Sequence, residues 1–116
     1  GIVDVAPTLV TYNSVLSACA FTVGTDEDRR NALQISLLIL AEIEQQKATT
    51  SNTVAPDSFT YSLLLKVCAN LIVSNDDDED KRTHSIEDVF RKCCHDGHVN
   101  EIVLKELWNA TAFSPR

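Results

Sequence analysis

Glycine and proline are scarce in this chain, three of each among 116 residues, while apolar residues make up 44%. So few turn-formers beside such long apolar stretches exclude an architecture of many short strands and point to helices. A basic excess is missing as well. The formal net charge is −7, the opposite of the cationic surface expected of a strong nucleic-acid binder. Much of that charge is local, in the run Asp76 to Asp80, and the rest of the chain is only mildly acidic. No stretch reaches the roughly 18 consecutive apolar residues of a membrane helix, and no signal or transit segment is visible. The four cysteines lack the spacing of a disulfide framework, which favours a reducing compartment. No nucleophile elbow, paired-carboxylate cleft or phosphate-cradling glycine loop is present, so neither an enzyme, a cofactor nor a small-molecule substrate is expected. The chain opens on Gly1, and is expected to be a piece of a longer protein.

Against these absences stands an internal repeat. Pro7 to Ala20, P-T-L-V-T-Y-N-S-V-L-S-A-C-A, returns at Pro56 to Ala69 as P-D-S-F-T-Y-S-L-L-L-K-V-C-A, with six of fourteen positions identical at an offset of 49 and no gap. The six are Pro7 and Pro56, Thr11 and Thr60, Tyr12 and Tyr61, Leu16 and Leu65, Cys19 and Cys68, and Ala20 and Ala69. A fixed period of this length is the signature of stacked helical units, each too small to bury its own apolar face.

The pattern predicts about five helices. The first follows Pro7, with Thr8 or Thr11 as cap, and carries Leu9, Tyr12, Leu16, Cys19 and Ala20 on one stripe. The second spans about Arg29 to Lys47 after an acidic start at Asp26 to Asp28. Its middle, L-L-I-L-A, is apolar on nearly all sides and is expected to be buried between neighbours. Ala48 to Ala55 reads as a loop, and the third helix, Asp57 to about Val73, repeats the first. The charged run from Ser74 to His84 reads as an unfolded loop. A fourth helix is expected from Ser85, which forms a capping-box pattern with Asp88. It carries Ile86, Val89, Phe90 and Cys93 on one face and stops near Gly97. The last, about Asn100 to Ala112, is expected to bury Ile102, Val103, Leu107 and Trp108. The fold class that follows is all-α, an α-solenoid of antiparallel helix-turn-helix hairpins.

The segments V-T-Y-N-S-V-L-S-A-C-A and F-T-Y-S-L-L-L-K-V-C-A resemble the first helix of a pentatricopeptide repeat. Ala32, Leu33 and Ile35 echo the start of that family's second helix, and Val89, Phe90 and Gly97 fall at the mutual spacing of its apolar pair and closing glycine. The resemblance covers two repeats, about 9–57 and 58–101, and a partial third helix, about 102–112. These repeats, of 49 and 44 residues, are longer than the family's usual unit, with the surplus in loops where insertion is thermodynamically cheap. The third opening helix, E-I-V-L-K-E-L-W, lacks the Tyr and Asn.

What the resemblance implies is a module that binds single-stranded RNA, one base per repeat, in mitochondrial or chloroplast RNA processing or stability. By resemblance the base readers are Asn13 with Asp57 in the first repeat and Ser62 with Glu101 in the second. The first pair favours uracil. Val10 and Phe59 take the positions that sandwich the base, and within the two full repeats Lys66 is the one cation on a reading helix available to phosphate. Phe21 and Asn70 stand where the family often places a cation. The bland alternative is that Asn13 and Ser62 only cap or solvate a helix. Its functional counterpart is a protein-interaction scaffold of degenerate repeats that has lost RNA binding, an alternative favoured by the acidic balance.

Other patterns carry less. Tyr12 and Tyr61 fit packing between helices better than base stacking. Cys93, Cys94, His95 and His98 lie close in sequence, but no metal site is expected because Cys93 belongs to a buried stripe. Asp76, Asp78, Asp80 and Glu87 match four positions of a calcium loop, yet Lys81 stands where that loop requires glycine. No membrane partner is expected.

Overall fold

The computed structural model describes residues 8–49, 55–72 and 76–112. The chain is all-α, with five helices and no strand among the described residues: α1 Leu9–Ala20, α2 Asp26–Thr49, α3 Ser58–Leu71, α4 Asp76–Asp96 and α5 Glu101–Ala112. The central helix, α3, packs against all four others, whereas α2 and α4 make no close backbone contact with each other. The odd helices therefore form one layer, α1–α3–α5, and the even helices lie outside it. An ion pair between Lys92 Nζ and Glu44 Oε2, 2.6 Å apart, spans α4 and α2.

The helix ends follow from local chemistry. Thr8, Asp57 and Asn100 cap the three odd helices, their side-chain oxygens accepting from the N–H of Thr11, Thr60 and Val103 at 3.3, 2.8 and 3.0 Å. Each thereby satisfies a donor that the first turn leaves without a helical partner. Gly24 sits at φ 136°, and a Cβ there would come within 2.5 Å of the Asp28 carboxylate. That carboxylate accepts from the Thr25 N–H while the Thr25 hydroxyl accepts from the Asp28 N–H, a reciprocal box that starts α2. At the other end of the chain Gly97, at φ 77°, terminates α4. There the His98 N–H donates to the Cys93 carbonyl and the Gly97 N–H to that of Cys94, the double closure for which a left-handed glycine is suited.

Each hairpin is tied by the same device. The Tyr12 hydroxyl donates to Glu42 Oε2 on α2 at 3.0 Å, and the Tyr61 hydroxyl donates to Asp96 on α4. Burial, and then the Asp96 bond, push the Tyr61 phenol far up, so it remains a protonated donor. The main core gathers Leu16, Tyr61, Leu64, Leu65, Ile86 and Val103, and α1 meets α3 through Cys19, Ala20, Val67 and Leu71.

Three expectations are corrected. α4 begins at Asp76, so the charged run read as a loop is helical and Ser85 lies inside the helix rather than capping it. Carboxylates at a helix start are favoured by its dipole. Arg82, which the loop would have left outside the helix, is buried and donates from Nη2 to the Ala110 carbonyl near the end of α5 at 3.1 Å. The continuous helix also rules out the loop geometry that a calcium site on Asp76, Asp78, Asp80 and Glu87 requires. Secondly, the middle of α2 is not enclosed: Ile35, Leu37 and Leu38 are exposed because the described helices that pack closely on α2, α1 and α3, leave its outer side uncovered. Finally, α5 buries Val103 but exposes Ile102 and Trp108, since α3 and α4 lie on one side of it only. The Ala48 to Ala55 loop lies mainly outside the described residues, and α2 itself runs to Thr49.

Candidate nucleic-acid interface

The three caps, Thr8, Asp57 and Asn100, put the odd helices in one register. Two positions after each cap stand Val10, Phe59 and Ile102, with relative exposures of 74%, 52% and 53%. An exposed apolar side chain thus recurs at the same place on three adjacent helices. Three positions further on stand Asn13, Ser62 and Lys105. Asn13 and Ser62 are 7% and 4% exposed, because each lies on the side of its helix turned to the next odd helix, whereas Lys105 is exposed.

The first candidate pair, Asn13 and Asp57, is brought together through one hydroxyl. Thr60 Oγ1 lies 2.8 Å from Asn13 Oδ1 and 2.8 Å from Asp57 Oδ1. Its single proton serves one of them at a time. Asp57 has a second duty, since it caps α3 and its own N–H donates back to Thr60 Oγ1 at 3.2 Å. The Asn13 amide nitrogen has no partner among the described residues, so an anchored oxygen leaves two N–H groups to offer.

The second candidate pair is not reproduced. The Ser62 hydroxyl donates to the Phe59 carbonyl within its own helix at 2.8 Å. Glu101 is exposed and is the first residue of α5, one position past the cap, so the geometric counterpart of Asp57 is Asn100. Counting by repeat length missed this shift because the third helix lacks the Thr–Tyr pair that aligns the other two. An Asn placed three residues before the buried Val103 was the available signal. Ile102 and Lys105 were missed for the same reason.

Lys66 Nζ is held by Glu106 Oε2 on α5 at 3.1 Å and lies 4.9 Å from the centroid of the Phe21 ring. The cation assigned to phosphate is therefore already neutralised and stacked. Asn70 donates to the Ala20 carbonyl at 3.0 Å, closing the end of α1.

Of the cysteine and histidine cluster, Cys93 is in the core, Cys94 is exposed, and the His98 ring lies 6.0 Å from that of Tyr61. Among the described residues no group of three His, Cys, Asp or Glu is placed to hold a metal ion. Burial pushes the Cys68 thiol up to about 12 and raises that of Cys93. In the native protein Cys94 alone is expected to react promptly with a thiol reagent near neutral pH, and all four cysteines after unfolding. A raised thiol keeps its proton in the folded state when the unfolded chain, at about 8.5, has lost it. The associated stability is present below that pH and is lost as pH rises toward 12. Denaturant midpoints measured across that alkaline window are expected to fall, and less so for Cys68→Ala.

No described helix is long and apolar enough to cross a membrane. No family model, curated protein or solved structure matches this chain.

Proposed function

We propose that the odd-helix face binds single-stranded RNA, one base at each junction between adjacent hairpins. The observation that carries this reading is the row Val10, Phe59 and Ile102, apolar and exposed at one register. Between Val10 and Phe59 a base would contact apolar surface on both sides, with the Asn13 amide at its edge. An amide that offers N–H while its oxygen is held by Thr60 suits a base edge rich in carbonyls, which is uracil among the four. Two hairpins address about two bases, so binding by this chain alone is weak.

Nuclear magnetic resonance suits weak binding. Titration with short oligouridylate is expected to shift the Asn13 side-chain amide and the backbone signals of Val10 and Phe59. Shifts confined to other surfaces, or none at low salt, would refute the proposal. Because Glu106 holds Lys66, wild type is expected to show a shallow dependence of affinity on salt. The substitution Glu106→Gln releases Lys66 and is expected to steepen the log–log salt slope by about 0.7, the value for one further phosphate contact on a single strand.

A second reading, a protein-interaction scaffold, is favoured by the Lys66–Glu106 pair and by the low exposure of Asn13 and Ser62. Absence of any RNA effect in the titration would leave it as the account of this face.

A further inference from the structure

Because α2 and α4 make no close backbone contact, a gap runs between them over α3. Side chains from both helices mark its two ends: Arg30 with Lys81 and His84 at one, Glu44 with Lys92 at the other. The stretch of α2 between Arg30 and Glu44 is about 21 Å long, at about 1.5 Å per residue. Its walls are apolar. Leu33, Leu37 and Leu40 of α2 and Val89 of α4 line a cavity of about 210 Å³, with Leu64 and Val67 of α3 as its floor. That cavity shares Leu33, Ile72 and Ser85 with a second, of about 400 Å³, at the Arg30 end. The Lys92–Glu44 ion pair crosses the gap at the far end.

The mouth of this crevice is cationic, in a chain whose net charge is −7. Elsewhere Arg29, Lys66, Arg91 and Lys92 pair with carboxylates, and Arg82 reaches the Ala110 carbonyl. Arg30, Lys81 and the His84 ring have no ion pair or hydrogen bond among the described residues, and all three are exposed at one cavity beside Ser85. Asp88, the acidic residue described on the crevice wall, is held by Arg91 at 3.2 Å.

We propose that the crevice between α2 and α4 takes a single-chain anionic amphiphile, a monoalkyl phosphate in chemical class, as a free monomer. The phosphate would sit among Arg30, Lys81 and His84, whose N–H groups suit its oxygens. The alkyl chain would lie along Leu33, Leu37 and Leu40 toward the Lys92–Glu44 pair. An apolar cleft with a few polar groups gathered at one end is the usual form of a small-ligand site, and the two cavities together fall in the range of about 300–1,000 Å³. Free phosphate would leave the apolar walls in water, and an uncharged chain would leave the cations unmatched. The site belongs to the even helices and does not depend on the RNA reading of the odd-helix row.

Calorimetric titration of the 116-residue chain with hexyl and decyl phosphate, each below its micelle concentration, tests this. One-to-one binding is expected, tightening by up to about fourfold per added methylene, with inorganic phosphate far weaker and decyltrimethylammonium unbound. Arg30→Gln combined with Lys81→Gln is expected to weaken decyl phosphate by about tenfold, the worth of a hydrogen bond to a charged group. Leu37→Glu, which puts a like charge on the apolar wall, is expected to weaken it by a similar factor. All three positions are exposed, and helical circular dichroism checks that each variant is folded. On binding, the backbone amide signals of Leu33, Leu37 and Val89 are expected to shift. No saturable binding of decyl phosphate, equal binding of decyltrimethylammonium, or affinity independent of the alkyl chain would overturn the proposal. So would affinity unmoved by both variants, or shifts confined to other surfaces.

Discussion

Replacing Leu65 by Ala is expected to lower the stability of this chain by about 3 kcal/mol, within the range of buried Leu-to-Ala changes. Leu65 is fully buried on α3, which among the described helices alone touches all four others. Its position lies where the second hairpin meets α5, so the cavity would open at a junction rather than within one layer. For a domain of this size the shift in melting temperature is on the order of 10 °C. Denaturant unfolding checks the magnitude. A loss below about 1 kcal/mol would mean that the site collapses freely, and that α3 is not the element on which both hairpins depend.

Phe59→Ala is expected to do the opposite: little to stability and much to RNA binding. The ring is half-exposed, and exposed positions away from caps and cores usually change stability by less than about 0.5 kcal/mol. If the ring forms one wall for a base, its removal costs about 1–3 kcal/mol of affinity, or roughly 5- to 150-fold. Stacking is indifferent to base identity, so all sequences are expected to weaken alike and any preference for uracil to survive. Titrations of wild type and variant with several short homopolymers separate these outcomes. Unchanged affinity would remove Phe59 from the interface and with it the significance of the apolar row.

Much of the fold was legible because its signals are local. The Pro–Thr and Pro–Asp starts of α1 and α3, the Tyr12 and Leu16 stripe and its repeat, and the stop at Gly97 are all set by residues within one or two turns. What was not legible depends on partners distant in sequence. The run Asp76 to Asp80 looks too charged to fold, yet it begins a helix whose Arg82 reaches the end of α5, 28 residues away. The apolar middle of α2 and the tryptophan of α5 look like core residues by composition, and are exposed because no described element covers those faces.

The candidate site divides along the same line. Asn13 and Asp57 were found from the repeat, but their junction at Thr60 is a contact across 47 residues. Lys66 looked available for phosphate until α5 placed Glu106 beside it. Glu101 stands one residue past the counterpart of Asp57, since the cap of α5 and not the repeat length sets the register. Asp57 also shows why site and scaffold cannot be separated here: its carboxylate both starts α3 and meets the hydroxyl that holds Asn13. Asp57→Ala would remove a cap worth about 1 kcal/mol, whereas Asp57→Asn keeps a capping oxygen and alters only the charge.

The most direct test of the base-reading claim is therefore the affinity of wild type and of the Asn13→Ala, Asp57→Asn double variant for short oligomers of each of the four bases, across a range of salt. Wild type is expected to favour uracil by roughly fivefold, the worth of about one hydrogen bond. The double variant is expected to bind all four equally, with the salt slope unchanged. A preference that survives in the double variant, or the lack of any preference in wild type, would contradict the account.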